Sequence, residues 1–250
     1  MPIVNATIRP DGVAHLELNR PEVRNAINLE MIQALHAQLD AWAVHDGVQC
    51  VVVSGAGGKA FAGGADIAEL RERTHVESFW GVNQTLFQKL EDFPRPTIAA
   101  IDGFALGGGL ELALACDLRV ASKGAKVGLP EVTLGIYPAA GGTWRLPRLV
   151  GLGRAKELVF TGRVVDAEEA HGWGLFETLV DTDALSAAFE LAGAIAKNAP
   201  LALQVAKVSL NALARGDNPT SIERLGQALL FDSPEKRTRM TAFLEKRNKK

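Results

Sequence analysis

The sequence predicts an α/β fold: a coiling core of strand, loop and helix turns, followed by a helix-only end. Three observations lead there. The apolar runs VQCVVVSG (48 to 55) and TIAAI (97 to 101) have the length and composition of buried strands. Each delivers the chain to a glycine-rich loop that opens a helix. After Asp183 the apolar spacing is helical throughout. The chain divides accordingly into a core, residues 1 to 190, and a C-terminal helical region, residues 191 to 250.

Residues 3 to 8 and 13 to 18 are short apolar runs split by Pro10-Asp11-Gly12, which reads as a hairpin. Asn28 is placed to cap a helix to about His45, with Ile32, Leu35, Leu39 and Trp42 at helical spacing. After the strand at 48 to 55 come a loop, Gly55 to Gly58, and a second loop, Phe61 to Asp66, that opens a helix over 67 to 73. One helix is predicted over Val76 to Leu90, with Pro94 and Pro96 barring its continuation. The next unit repeats the rhythm: strand Thr97 to Ile101, loop through Gly107-Gly108-Gly109, helix Leu110 to Ala115, strand Leu118 to Ala121. Segments 151 to 161 and 166 to 171 and a strand at 175 to 180 finish the core. Helical segments follow to Lys197 and over about 200 to 215 and 219 to 231. Asp232-Ser233-Pro234-Glu235 starts the last helix, to about Lys246. A helix-only end that is apolar on one face folds back on the core or docks on another subunit.

A length of 250 residues allows one domain or two, with a substantial core. With 47% hydrophobic and 22% charged residues the composition is that of a soluble globular protein. A net charge of −2 argues against a general nucleic-acid-binding surface. The most apolar stretch, 98 to 120, carries Asp102, Glu111 and Asp117 and reads as core, not as a membrane span. The start MPIVNATIRPDG lacks the basic-then-apolar pattern of a secretory signal. Cys50 and Cys116 both lie in apolar runs and read as buried free thiols, which fits a reducing cytoplasm.

Two glutamates stand out. Glu111 and Glu131 each sit in an apolar, glycine-marked segment, where an unpartnered ionised carboxylate is costly. Such a pair is a candidate for acid/base work. Gly107-Gly108-Gly109 places bare backbone N–H groups at a helix start, a setting that favours negative charge; its other use is close backbone packing. Phe61-Ala62-Gly63-Gly64-Ala65-Asp66 is a second loop of the same kind, or simply a turn with Asp66 as N-cap. One N–H from each loop would supply two donors to one oxyanion. Together these features suggest chemistry on a carbonyl compound with no metal or redox cofactor. Glu111 could otherwise be a dipole-stabilising residue and Glu131 a helix-start acid.

Rival motifs fail. Gly55-Ala56-Gly57-Gly58-Lys59-Ala60 matches a dinucleotide-binding turn, but Gly63 and Gly64 interrupt the helix that should follow. Gly58-Lys59 lacks the Ser or Thr of a phosphate-binding loop, and Ser54 is not in a nucleophile elbow. His15, His36, His45, His75 and His171 have no metal-site spacing. The tail from Glu235 to Lys250, with seven basic and two acidic residues, reads as a solvated face, with phosphate contact as the alternative.

The segments NRPEVRNAIN (19 to 28), KAFAGGADI (59 to 67), IAAIDGFALGGGLELALACDLRVAS (98 to 122), VGLPEVTLGIYPAAGGTWRLPRLVG (127 to 151) and AFLEKR (242 to 247) closely resemble the crotonase superfamily, specifically enoyl-CoA hydratases. The resemblance implies a spiral of ββα turns with a C-terminal helical trimerisation region, assembled as a homotrimer or a hexamer of two trimers. It implies hydration of a trans-2-enoyl-CoA to the 3-hydroxyacyl-CoA, with no cofactor, since coenzyme A is part of the substrate. By the same resemblance, Ala65 and Gly108 supply the oxyanion hole, Glu111 deprotonates water and Glu131 protonates the α-carbon. Backbone around Ala62, Ala65, Asp66 and Ile67 would hold the adenine, and Arg24, Ala26 and Lys59 would lie along the nucleotide. Phe243 and Lys246 would reach a coenzyme A on a neighbouring subunit.

The chain departs from the usual hydratase pattern IPGAGGTQRL at Ala139, in place of a glycine, and Trp144, in place of a glutamine. The Ala139 N–H could hold the water, while its methyl and Tyr137 bear on the acyl pocket. Rival readings are an enoyl-CoA isomerase, for which Glu131 alone would suffice, a hydratase acting on branched or carnitinyl thioesters, a catalytically idle coenzyme A-binding scaffold, and a nicotinamide oxidoreductase.

Overall fold

A computed structural model describes residues 2–248, so Met1, Lys249 and Lys250, which close the two predicted regions, lie outside it. The predicted hairpin forms from β1 (Val4–Ile8) and β2 (Val13–Leu18), paired antiparallel with Val4 opposite Leu18. Asp11 accepts the Val13 N–H in its turn. Helix α1 (Leu29–Ala43) begins where the Asn28 side chain accepts the Met31 N–H, and it buries Ile32, Leu35, Leu39 and Trp42. Then come β3 (Cys50–Gly55), β4 (Ala60–Ala62) and α2 (Ile67–Glu72), the last capped by Asp66. The single helix predicted over 76 to 90 is two, α3 (His75–Phe79) and α4 (Val82–Glu91). Gly81, left-handed at φ 57, separates them.

The second turn of the core is β5 (Thr97–Ile101), β6 (Phe104–Leu106) and α5 (Gly108–Ala115). The third is β7 (Leu118–Ser122), β8 (Lys126–Gly128), a short 3-10 helix at Pro130–Leu134 and α6 (Gly142–Val150). Helix α7 (Leu152–Thr161), β9 (Val164–Asp166), α8 (Ala167–Gly172) and β10 (Thr178–Val180) complete it. The strand expected over 175 to 180 is thus half that length: Leu175 and Phe176 are buried core residues outside the ladder.

The strands form a six-stranded sheet, β1-β2-β3-β5-β7-β10, and a four-stranded sheet, β4-β6-β8-β9. Pairing is parallel from β2 to β10 in the first and from β4 to β8 in the second. Three of the four inner strands of the large sheet are each followed by a short strand of the small one, β3 by β4, β5 by β6 and β7 by β8, which is a spiral of ββα turns. Strand β3 is apolar from Cys50 to Val53 because both its faces are covered. Val51 and Val53 enter the main core with α1, α4 and α5, while Cys50 and Val52 meet α9 (Ala184–Ala196) through Ala184, Ala188 and Ala192.

Helices α10 (Pro200–Ala214), α11 (Thr220–Phe231) and α12 (Pro234–Asn248) end the chain. Helix α10 docks on the core through polar ties: Lys207 reaches Asp117 at 2.7 Å and the Arg95 carbonyl, and Asn211 reaches the Glu91 carbonyl. Much of the apolar surface of these helices is uncovered, including Leu210, Leu213, Leu225, Phe231 and Phe243. Among the described residues, no helix is long and apolar enough to cross a membrane.

Candidate active site

The small sheet assembles the site. Its neighbours β4, β6 and β8 lie side by side, about 4.8 Å apart. The residues just beyond their C-terminal ends are the loop to Ala65, the start of α5, and the 3-10 turn that carries Glu131. Three consecutive turns of the spiral therefore deliver the two predicted loops and both predicted acids to one place.

Among the described residues the two loop amides have no hydrogen-bond acceptor. Ala65 forms a parallel bridge with Ile27 in which Ile27 N–H donates to the Gly64 carbonyl and Asp66 N–H donates to the Ile27 carbonyl. Those bonds use the flanking residues, so the N–H of Ala65 itself points the other way. Gly108 opens α5, and its N–H has no intrahelical acceptor by position. The two meet: a methyl on Gly108 would lie 3.3 Å from the Ala65 nitrogen. The glycine run divides its labour. Gly107 holds φ 50, ψ −126, a conformation for glycine alone, and a methyl there would lie 3.0 Å from Glu131 Oε1. A methyl on Gly109 would meet the Ala62 carbonyl oxygen at 2.1 Å, so its role is packing. The close-packing reading of the run therefore holds at Gly109.

The two carboxyls are buried, Glu111 to 3% exposure and Glu131 to 9%, in opposite surroundings. Glu111 Oε1 accepts the N–H groups of Ala140 and Gly142, each at 2.8 Å. Burial raises its pKa above the ordinary 4.5, opposed by those two N–H groups and by the Arg145 charge. Among the described residues neither Glu131 oxygen has a hydrogen-bond partner, and only its own backbone N–H acts to lower its pKa. Burial pushes its pKa up to about 7, and the negative charge of Glu111 adds to the rise. The acids are thus close enough to feel each other. One is solvated by protein dipoles, while the other has burial without partners and keeps its proton up to a pH of about 7.

The residues expected along coenzyme A are brought together only in part. Ala62 and Asp66 flank the Ala65 loop, and Ile67 is exposed at the start of α2. Arg24 adjoins this loop, its carbonyl accepting the Gly63 N–H, and adopts a left-handed φ of 55. Ala26 is half-buried, its carbonyl bound by Arg20, and Lys59 is exposed on the loop before β4. Phe243 and Lys246 sit on α12, exposed, and no hydrogen bond or ion pair among the described residues ties them to the site.

Sequence reasoning missed the scaffolding. Asn25, fully buried, donates to the carbonyls of Ala56 and Ala60, and Arg20 pairs with Asp66 at 3.1 Å. Both lie inside NRPEVRNAIN, where a buried asparagine after a charged residue was the available signal. Arg145 and Glu91, a buried ion pair beside Glu111, were missed too. The N–H groups bound to Glu111 are those of Ala140 and Gly142, while Ala139, whose N–H is expected to hold the water, is exposed beside them.

A sequence model of the family described as Enoyl-CoA hydratase/isomerase matches residues 9–250. The chain belongs to the enoyl-CoA hydratase/isomerase family. As a member of it, the chain is 39% identical to the short-chain-enoyl-CoA hydratase of Clostridium acetobutylicum, across 99% of this chain and 97% of that one. It is equally, 39%, identical to the 2,3-dehydroadipyl-CoA hydratase of Escherichia coli, across 96% and 94% of the two chains. Among solved structures it is similar to an enoyl-CoA hydratase from Bacillus anthracis, with TM-score 0.93 and 36% identity over 98% of this chain and 96% of that one. Family membership and the spiral α/β fold therefore agree. Equal identity to relatives named for different acyl groups leaves the acyl group of this member to its own pocket.

Proposed function

We propose that the chain catalyses reversible addition of water across the double bond of a trans-2-enoyl-CoA, giving the 3-hydroxyacyl-CoA. The carrying observation is the unequal carboxyl pair beside two amides free to donate. In this reading Ala65 and Gly108 N–H bind the thioester oxygen, which draws electrons from the β-carbon and stabilises the enolate-like charge as it develops. Each such donor is worth roughly 3 to 4 kcal/mol. Glu111, its Oε1 held by two N–H groups, takes a proton from water through Oε2 as the water oxygen bonds to the β-carbon. Glu131, protonated because it is buried and unpartnered, gives its proton to the α-carbon. Transfer of the proton from Glu111 to Glu131 then restores both acids.

The same reading places coenzyme A along Arg24, Ala26, Lys59, Ala62, Ala65, Asp66, Ile67 and Gly108. Phe243 and Lys246 would serve a neighbouring subunit; they are exposed, and among the described residues no hydrogen bond or ion pair ties them to this chain's own site. The uncovered apolar faces of α10 to α12 support a region from about residue 191 that builds a homotrimer or a pair of trimers. The two buried free thiols support a cytoplasmic setting. The test is turnover of crotonyl-CoA and longer enoyl thioesters, followed as loss of enoyl absorbance. Hydration by the native chain, with loss of about 10²-fold or more in Glu111→Gln, supports the reading; no turnover across the panel contradicts it. A Glu111→Gln variant that still moves the double bond would instead mark an isomerase.

A further inference from the structure

One buried ion pair beside the site has no part in the chemistry above. Arg145 on α6 is buried, and its Nε and Nη2 donate to Glu91 Oε2 on α4 at 2.9 and 2.6 Å. Its remaining fork atom, Nη1, donates to the Ala140 carbonyl at 2.9 Å. Ala140 is the residue whose N–H holds Glu111. A guanidinium can do this because it is planar and offers several donors in a fixed geometry. The backbone makes room for it: a methyl on Gly141 would lie 2.0 Å from Nη1, and one on Gly142 would lie 3.1 Å from Glu111 Oε1. The adjacent glycines thus admit the arginine on one side and the catalytic acid on the other. The Trp144 ring covers the guanidinium with its centroid 4.0 Å away, and Arg148 lies 4.6 Å from the same ring. The stack rests on Trp144, at the position where the usual hydratase pattern has glutamine.

We propose that Arg145, anchored by Glu91 and covered by Trp144, is a positioning residue that fixes the Pro138–Gly142 loop so that its N–H groups hold Glu111 ready for water. Helix α5, which carries Glu111, packs against both α4 and α6, and the Arg145–Glu91 pair joins those two helices. The charged groups around the device are few. Glu111 faces Arg145 from α6 and Glu131 from the 3-10 turn, while Glu91 faces Arg145, then Arg215, the residue after α10, at 3.7 Å and Arg148 at 4.0 Å. The Arg145 charge favours the ionised form of Glu111, in the same direction as the two N–H bonds.

The inference rests on Glu111 as the base, so Glu111→Gln is assayed alongside. Arg145→Met and Arg145→Lys are compared with the native chain over a pH series on enoyl-CoA. The expected result is a kcat loss of roughly 10- to 100-fold in Arg145→Met, with KM nearly unchanged because the oxyanion amides and nucleotide contacts are untouched. The acid limb of the profile should move to higher pH, and Arg145→Lys should recover part of kcat. If Arg145→Met does not fold, Glu91→Gln/Arg145→Met removes the stranded carboxylate and is used in its place. Folded variants with native kcat and an unmoved acid limb, while Glu111→Gln is inactive, overturn the positioning role alone. An active Glu111→Gln overturns the base assignment beneath it.

Discussion

The turn that carries Glu111 and the turn that carries Glu131 are built from similar pieces, a short strand of the small sheet followed by a helical start, and they treat their acids in opposite ways. At Glu111 the protein supplies two N–H donors and, beyond them, a buried arginine. At Glu131 it supplies burial and almost nothing else. The lesson is that two carboxyls in one cavity need different solvation, not different chemistry, to become base and acid.

The largest effect expected from this contrast is on turnover. Glu111→Gln should lower hydration by about 10²-fold or more while leaving the fold intact, since glutamine still accepts both N–H bonds. The check is steady-state kinetics with thermal unfolding as a control. A variant with native activity would erase the contrast.

A second effect sharpens the other side. Glu131 has a folded pKa of about 7 against an ordinary 4.5, so the fold binds its proton more tightly than the unfolded chain does. Its contribution to stability is complete below about 4.5 and is lost as pH rises through about 7. Glu131→Gln should therefore stabilise the protein above pH 7 by roughly 2 to 3 kcal/mol, with the gain fading at acid pH, while hydration is lost. Denaturant unfolding at several pH values measures this. Equal stabilisation at all pH values would point to packing.

The smallest effect is on the pH profile. If Glu131 must carry a proton, kcat/KM for hydration should bend downward above about 7. Because the acids titrate as a couple, removing the Glu111 charge in Glu111→Gln should move that midpoint down. Residual activity followed across pH reads the shift; an unmoved midpoint would separate the two groups.

Much of this was legible in the sequence because it is local. Asn28 as a cap, the 3.6-residue spacing of α1 and the two glycine loops need only neighbours along the chain. The strands of the small sheet were not legible. At three residues each, β4, β6 and β8 are too short for an alternating pattern, and Ala, Phe, Leu, Lys, Val and Gly fill them without a common theme. Helix α6 was hidden by Gly142 at its start and Pro147 inside it. The Arg145–Glu91 pair spans 54 residues, and nothing local at either residue names the other. The acids were found because a carboxylate among apolar neighbours is conspicuous. Which amide would hold Glu111 depended on loop geometry that one-residue differences in register decide.

The unequal pair can be observed without substrate. Carbon-13 NMR of the protein labelled at glutamate Cδ, with the Glu131 resonance assigned by its loss in Glu131→Gln, follows the proton itself. The expected midpoint for that resonance is about 7, falling when Glu111 is replaced by glutamine. A midpoint in the ordinary carboxylate range near 4.5, unchanged by that replacement, would contradict it.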